Sequence, residues 1–372
     1  MGTSEGRFKI LIRTCVSAIM PTVLICFAFL EIGLRATGRA PSNTTDGFYV
    51  QYNKSYRMKK NFSKRVHTPS YTCTIYTNSL GFRVRIRGEK IIGRTPYFVF
   101  LGESLTFGNG VDYDQSFVGV FDQLVKEHGF EAVNLAVGGH GFNEQEEIFK
   151  DFLAAVPQMP AHVIICFSPP FVRRIVNYYP DLVVKGGYAF TQQGWILPYL
   201  RVLLGDSSAV YCFFRDNIRK IQSRSSSVDS DQMLQILANY SKDNKIKQPS
   251  NINKIEERLK ALDTLIIKAG ATPIYVYLPP STDFDANEFL ISSGKPKEKY
   301  DLMLYCNLLA EHCKKSEIKL INLFPILQEH YDQGEKLNFM MDGHYNPMAN
   351  KVIGETIFRS VFNNGNPSYS AK

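Results

Sequence analysis

The sequence contains neither a G-x-G-x-x-G turn nor a Walker A loop, which disfavours nucleotide binding. It has seven cysteines, none paired as C-x-x-C. Two of them, Cys15 and Cys26, lie in an N-terminal apolar stretch, and an odd five remain, so neither a disulfide framework nor a zinc or redox motif is supported. Cys166 reads as a small core residue, and Cys306 and Cys313, seven apart, as packing on one helix face. There is no long polar tract, and with 44% hydrophobic residues a disordered chain is excluded. Acidic residues are outnumbered, 35 against 43 Lys and Arg, for a net charge of +8, but the excess is spread along the chain. It forms no basic arm, so no nucleic-acid partner is expected. No internal repeat is visible. At 372 residues the chain is long enough to bury a large core.

What is present begins with a membrane signal. No charged residue lies between Thr14 and Leu30, and Ile10 to Ile12 extend the apolar run past Arg13. At about 1.5 Å per residue, Ile10 to Leu30 just crosses a hydrocarbon core of roughly 30 Å if Arg13 snorkels. Arg7, Lys9 and Arg13 precede the run, while Glu31 partly offsets Arg35 beyond it, so the N-terminus is expected in the cytoplasm. No A-x-A-like cleavage site follows, which favours an uncleaved signal anchor over a removed signal peptide. The expected organisation is a cytoplasmic tip and transmembrane anchor over 1–39, an irregular lead-in over 40–95 and an α/β domain over 96–372, with an insertion around 171–250. The lead-in carries Lys54, Arg57, Lys59, Lys60, Lys64 and Arg65, which suit either a solvated surface or contact with anionic headgroups or an acidic glycan.

From Tyr97 onward short apolar runs alternate with helical patterns. YFVFL (Tyr97 to Leu101), Ala132 to Val137, HVIICF (His162 to Phe167), PIYVYL (Pro273 to Leu278) and IKLINL (Ile318 to Leu323) read as strands. Phe117 to His128, Glu144 to Ala155, Ile252 to Ala269 and Lys297 to Lys315 read as helices between them. Continuous apolar strands alternating with helices predict a parallel sheet covered on both faces. The stretch from Phe171 to Ser250 breaks the rhythm and holds aromatic pieces from Tyr188 to Trp195.

Three segments can carry chemistry. Gly102-Glu103-Ser104 follows the first strand of that series, where glycine allows a sharp bend and a serine at the next helix start faces solvent. An ordinary N-cap serine fits the same pattern. Asp342-Gly343-His344 lies after the last strand, and an Asp two residues from a His can reach round to orient the imidazole. A D-x-H pair also suits a metal half-site or a helix cap. Asn134 to Gly141 (NLAVGGHG) follows the second strand and lets a backbone N–H approach a ligand, with His140 a secondary candidate base.

Together these segments resemble the SGNH/GDSL hydrolases, in the membrane-anchored bacterial form. LGESLTFGNGV (Leu101 to Val111) resembles the nucleophile block, with Glu103 in place of the usual Asp, and NLAVGGHG resembles the second block. MDGHYNPMAN (Met341 to Asn350) resembles the last block, and YTNSLGFR (Tyr76 to Arg83) the run before the nucleophile block. The third block departs: within Phe167 to Phe171 (FSPPF) the family's Asn, an oxyanion donor, is replaced, leaving Ser168 as the nearest hydroxyl. The resemblance implies a flavodoxin-like three-layer sandwich with a central parallel sheet, preceded by one transmembrane helix. It implies Ser104 as nucleophile, His344 as base, Asp342 as its orienting acid, and the N–H groups of Ser104 and Gly139 as oxyanion donors, with no metal or cofactor. The implied activity is a serine esterase or O-acyl transferase at the periplasmic side of the inner membrane. Its substrate would be an acylated cell-envelope or secreted polysaccharide, with lipid esters second. A catalytically weak glycan-binding or assembly protein of the same fold is the alternative, motivated by the missing Asn and the aromatic insertion.

Overall fold

A computed structural model describes residues 17, 19–38, 47–68, 70–89, 96–176, 181–225, 230–241, 244–293, 296–339 and 342–362. They divide into two compact units, one of residues 1–45 with 194–226 and the other of 46–193 with 227–372. In chain order, helix α1 (Met20–Ala36) precedes five strands, β1 (Tyr49–Tyr52), β2 (Ser55–Met58), β3 (Ser63–His67), β4 (Thr72–Thr77) and β5 (Arg83–Val84). The β/α series then runs β6 (Tyr97–Leu101), α2 (Ser104–Phe107), α3 (Phe117–Lys126), β7 (Glu131–Asn134), α4 (Phe142–Ala155), β8 (His162–Phe167) and α5 (Pro169–Val176). A hairpin of β9 (Leu182–Lys185) and β10 (Tyr188–Thr191) follows, then α6 (Ile196–Ser207), α7 (Ala209–Ser225) and α8 (Ser230–Ala238). The chain closes with α9 (Pro249–Lys268), β11 (Thr272–Tyr277), α10 (Ser281–Ser292), α11 (Leu304–Lys315), β12 (Lys319–Asn322), α12 (Phe324–Asp332) and α13 (Pro347–Phe362).

The larger unit is built on one sheet of order β12-β11-β8-β6-β7-β5-β4-β3. Its five strands β12, β11, β8, β6 and β7 are parallel, in the strand order of a flavodoxin-like doubly wound sheet. Alternation along each strand makes two cores. Val99, Leu101, Val163, Ile165 and Tyr275 face α4, α9 and α11, while Phe98, Phe100, Ile164, Cys166 and Val276 face α3, α12 and α13. The last helix is tied to the first of the second layer, because the Phe117 N–H donates to Asn350 Oδ1 at 2.9 Å. Cys306 and Cys313 are buried and unbonded on α11, and Cys166 is buried in β8.

Two expectations need correction. The described residues of the segment 40–95 are not irregular: β5 pairs antiparallel with β7 at Arg83 and Asn134, and β4 and β3 extend the sheet further. The helix expected over 297–315 is a short 3₁₀ turn at Lys297–Lys299 followed by α11 from Leu304. Several of the basic residues between 54 and 65 are spent within the fold. Lys54 pairs with Asp181 at 3.1 Å, Arg57 stacks 4.0 Å over Tyr52 beside Glu147 and Asp151, and Lys64 Nζ donates to the Tyr188 hydroxyl.

In the smaller unit, α1 covers the second half of the expected membrane span, and residues 10–16 and 18 of that span lie outside the described residues. No helix among the described residues is long and apolar enough to cross a membrane. None of α1 is buried, and Ile19, Leu24, Ile25, Phe27, Phe29 and Ile32 are all exposed. Where its apolar run ends, Glu31 accepts from the N–H groups of Ala209 (2.8 Å) and Val210 (2.9 Å) and from the Ser208 hydroxyl, which caps α7. Arg35 donates to the Ser207 carbonyl at 2.7 Å.

Candidate active site

Ser104 is the first residue of α2, directly after β6, at the carboxyl end of the parallel sheet. The bend before it requires glycine, since a Cβ at Gly102 would collide with the Thr106 side chain. The Gly102 N–H donates to Gln145 Oε1 at 3.1 Å, fastening the turn to α4. After α2 the chain turns back through Gly108 in the left-handed region, and the Asn109 N–H returns to the Ser104 carbonyl at 3.2 Å. Arg83, fully buried, grips this loop by donating to the carbonyls of Phe107, Gly108 (2.6 Å) and Val111 (2.5 Å). The turn that aims Arg83 is made by Asn78, whose Oδ1 accepts from the N–H groups of Leu80 and Phe82. This gives a physical role to the run YTNSLGFR.

The second turn follows β7. The Asn134 amide joins it to the nucleophile helix, donating to the Thr106 carbonyl at 2.9 Å, while its oxygen accepts from the Ala136 N–H. Gly139 has φ +77°, and a side chain there would overlap the Tyr56 hydroxyl. That hydroxyl donates to the Gly138 carbonyl at 2.7 Å, so β2 holds the turn in place. Beside it, a Cβ at Gly138 would lie 3.7 Å from both Ser104 Cβ and Asn109 Nδ2.

The base loop arrives from the other end of the chain. His344 Nδ1 lies 2.5 Å from Asp342 Oδ1, which also accepts from the His344 N–H at 2.9 Å. An ionised carboxylate can only accept, so Nδ1 carries the hydrogen and Nε2 presents its lone pair. Nε2 faces the Asn109 amide, with Nδ2 at 3.3 Å. Burial raises the Asp342 pKa, but the ring hydrogen bond, charge and N–H of His344, together with the Tyr71 hydroxyl, outweigh it and hold the carboxyl below its ordinary value. Asn109 thus links the two halves of the site, contacting His344 and flanking the space between Ser104 and Gly138. Asp342 pairs with His344, and Asn109 lies against both the His344 ring and the turn of Ser104 and Gly138.

Two expected alternatives fall away. His140 is sealed in the core with Nε2 3.0 Å from the Tyr56 carbonyl. Burial first, then the Arg57 charge, push its pKa well below the ordinary value, so its ring holds a proton poorly, and burial keeps it from any substrate. Ser168 is also buried, and its hydroxyl donates to Glu103 Oε1 at 2.7 Å, away from an oxyanion role. Burial raises the pKa of Glu103, opposed by the Ser168 hydroxyl and the charges of Arg174, His344 and Arg173. Among the described residues no cluster of His, Cys, Asp and Glu is arranged to hold a metal ion.

No protein-family model matches the chain, and no curated protein does. Solved structures do. A catalytic mutant of the acetylxylan esterase Axe2 from Geobacillus stearothermophilus is 12% identical, with a TM-score of 0.41 over 73% of this chain and 96% of that one. The acetyl xylan esterase AlAXEase is 12% identical, with a TM-score of 0.39 over 72% and 100%. The psychrotrophic esterase EstA from Pseudoalteromonas sp. is 13% identical, with a TM-score of 0.38 over 72% and 97%. The chain is similar to esterases.

The residues that the sequence did not disclose are Asn109, Arg83, Tyr56 and Tyr71. Asn109 stands inside the nucleophile block, where its letter was visible, but its approach to His344 depends on a loop 235 residues away. A cavity of about 680 Å³ opens beside Gly139, lined by Lys54, Tyr56, Phe142, Arg174 and Phe190 among others. It is large enough for a sugar-sized ligand.

Proposed function

We propose that this chain is a serine esterase or O-acyl transferase of the SGNH/GDSL kind, acting on acyl groups ester-linked to an extracytoplasmic polysaccharide. The observation that carries the reading is the His344 ring. Asp342 holds its Nδ1, and its Nε2 lone pair is turned toward the loop of Ser104. In the first half-reaction Ser104 Oγ forms a bond to the acyl carbonyl carbon while its proton passes to His344 Nε2. The oxyanion is received by the backbone N–H groups of Ser104 and Gly139, with the Asn109 amide moving from Nε2 to supply the donor that the third block lacks. Collapse expels the alcohol, which takes the proton from Nε2. Water or a sugar hydroxyl then repeats the steps on the acyl-enzyme, giving hydrolysis or transfer.

The glycan reading is supported by the mixed polar and aromatic lining of the cavity beside Gly139. The membrane reading is supported by the uncharged run from Thr14 to Leu30 and by the exposure of α1's apolar side chains. On this reading, with a basic flank before the run, the larger unit lies outside the cytoplasm at the inner membrane. A labelled fluorophosphonate tests the enzyme. Capture by the native chain and none by Ser104→Ala is expected. An intact fold with no capture, indifferent to Ser104, would instead support a glycan-binding protein, a reading favoured by Ser168 being tied to Glu103.

A further inference from the structure

The apolar residues exposed on α1 do not form a stripe. At about 100° per residue, Ile19, Met20, Val23, Leu24, Ile25, Phe27, Phe29, Leu30 and Ile32 leave no azimuthal gap wider than roughly 80°. One protein groove covers one side of a helix, whereas a bilayer covers all sides. In the same unit, α6 exposes Ile196, Leu197, Leu200, Leu203 and Leu204, which by the same spacing fall within an arc of about 120°. That is the pattern of a helix lying along an interface and not through it. Trp195, just before the first residue of α6, and Tyr199 have ring centroids 5.9 Å apart and fall about 140° and 100° from the middle of that arc, on the headgroup side of such a helix, where these residue types are enriched. The level at which α6 ends is also fixed. Arg35 holds the carbonyl of Ser207, and Glu31 holds the N–H groups of Ala209 and Val210. These contacts come directly after Leu30, the last residue of the uncharged run.

We propose that α6 is a second, non-spanning membrane contact, lying with its leucine face in the lipid headgroup boundary of the leaflet from which α1 emerges. This rests on the reading of residues 10–30 as a membrane anchor. Glu31 and Arg35 act as the bracket that sets the depth of α6. The insertion thereby gives the chain a footing on the bilayer besides its single span.

Trp195 is the only tryptophan in the chain, so its fluorescence reports on α6 alone. The test uses the full chain reconstituted in vesicles of phosphatidylethanolamine and phosphatidylglycerol, with and without a nitroxide quencher attached to the lipid headgroup. An apolar face seated about 5–10 Å into the boundary leaves Trp195 on the upper side of the helix at headgroup level, close to the nitroxide, so a loss of about half its emission or more is expected. A variant with Leu197→Asp, Leu200→Asp and Leu204→Asp should still float with the vesicles through its anchor but lose the quenching. If the native chain floats and Trp195 is not quenched, the interfacial helix is wrong and the anchor stands. Trp195 shielded from aqueous acrylamide yet untouched by the headgroup nitroxide would mean that a protein covers it, which also overturns the proposal. If the native chain does not float at all, the anchor reading itself fails and this inference falls with it.

Discussion

Ser104→Ala and His344→Ala are each expected to abolish turnover of an aryl acetate, and the double variant should be no worse than either alone, because nucleophile and base act as one unit. Asp342→Asn should retain a small remainder, since the ring stays in place while its tautomer is no longer enforced. The oxyanion site gives a sharper contrast. Asn109→Ala should lower kcat by about 10²–10³ with KM little changed, the usual loss for one donor. Ser168→Ala should cost much less, because its hydroxyl already serves Glu103. Gly139→Val should approach the loss at Asn109, as its φ of +77° and the Tyr56 hydroxyl leave no room for a side chain. Steady-state kinetics on variants with native circular dichroism decides each case. The Asp342–His344 pairing and a serine at the helix start after β6 were legible in the sequence because each sits in a motif short enough to carry its own geometry. Asn109 was not, and Ser168 was read as a stand-in donor because sequence adjacency to the missing Asn says nothing about which way a buried hydroxyl points.

At the scale of elements, β5 and the loop after α2 form one device. Arg83→Met would leave the carbonyls of Phe107, Gly108 and Val111 without their donor, and is expected to cost about 3 kcal/mol of stability and to depress kcat as the loop of Ser104 slackens. Thermal melting and kinetics on the same preparation measure both. A second element carries a pH signature. In the first turn of α10, Asp283 is buried against the hydroxyls of Tyr240 and Tyr277, and burial pushes its pKa up to about 7. A carboxyl whose folded pKa exceeds its unfolded value favours the fold fully below the unfolded value, near 3.8, and this advantage is lost as pH rises to about 7. Asp283→Asn should therefore gain in melting temperature relative to the native chain between pH 4 and pH 8, and a pH-independent difference would refute it. The five parallel strands were readable because each is a continuous apolar run. The lead-in strands were missed for the opposite reason: β3 is mostly polar with exposed Ser63, Arg65 and His67, and β5 is two residues long, too short for any period to register.

For the whole molecule, the two-unit division predicts how truncated chains behave. Deleting residues 1–45 alone leaves the apolar faces of α6 and α7 exposed, including Leu197, Leu200, Phe214 and Ile218, and should give a protein that needs detergent. Replacing 194–226 with a short polar linker as well should yield a soluble, monodisperse esterase, which gel filtration and aryl acetate turnover would establish. The sequence marked 171–250 as one insertion, but only 194–226 groups with the N-terminal segment, a partition that composition cannot reveal because it depends on which faces α6 and α7 present. The tie between Phe117 and Asn350 has a consequence for biosynthesis. The nucleophile is made roughly 240 residues before the base, and His344 takes its place only when the helix carrying Asn350 can dock on the layer that begins at Phe117. At about 5–20 residues per second a ribosome needs roughly ten to fifty seconds to cover that distance. Throughout that interval the nascent chain holds an unactivated serine, so a polypeptide halted early, or clipped near its end, is a harmless one.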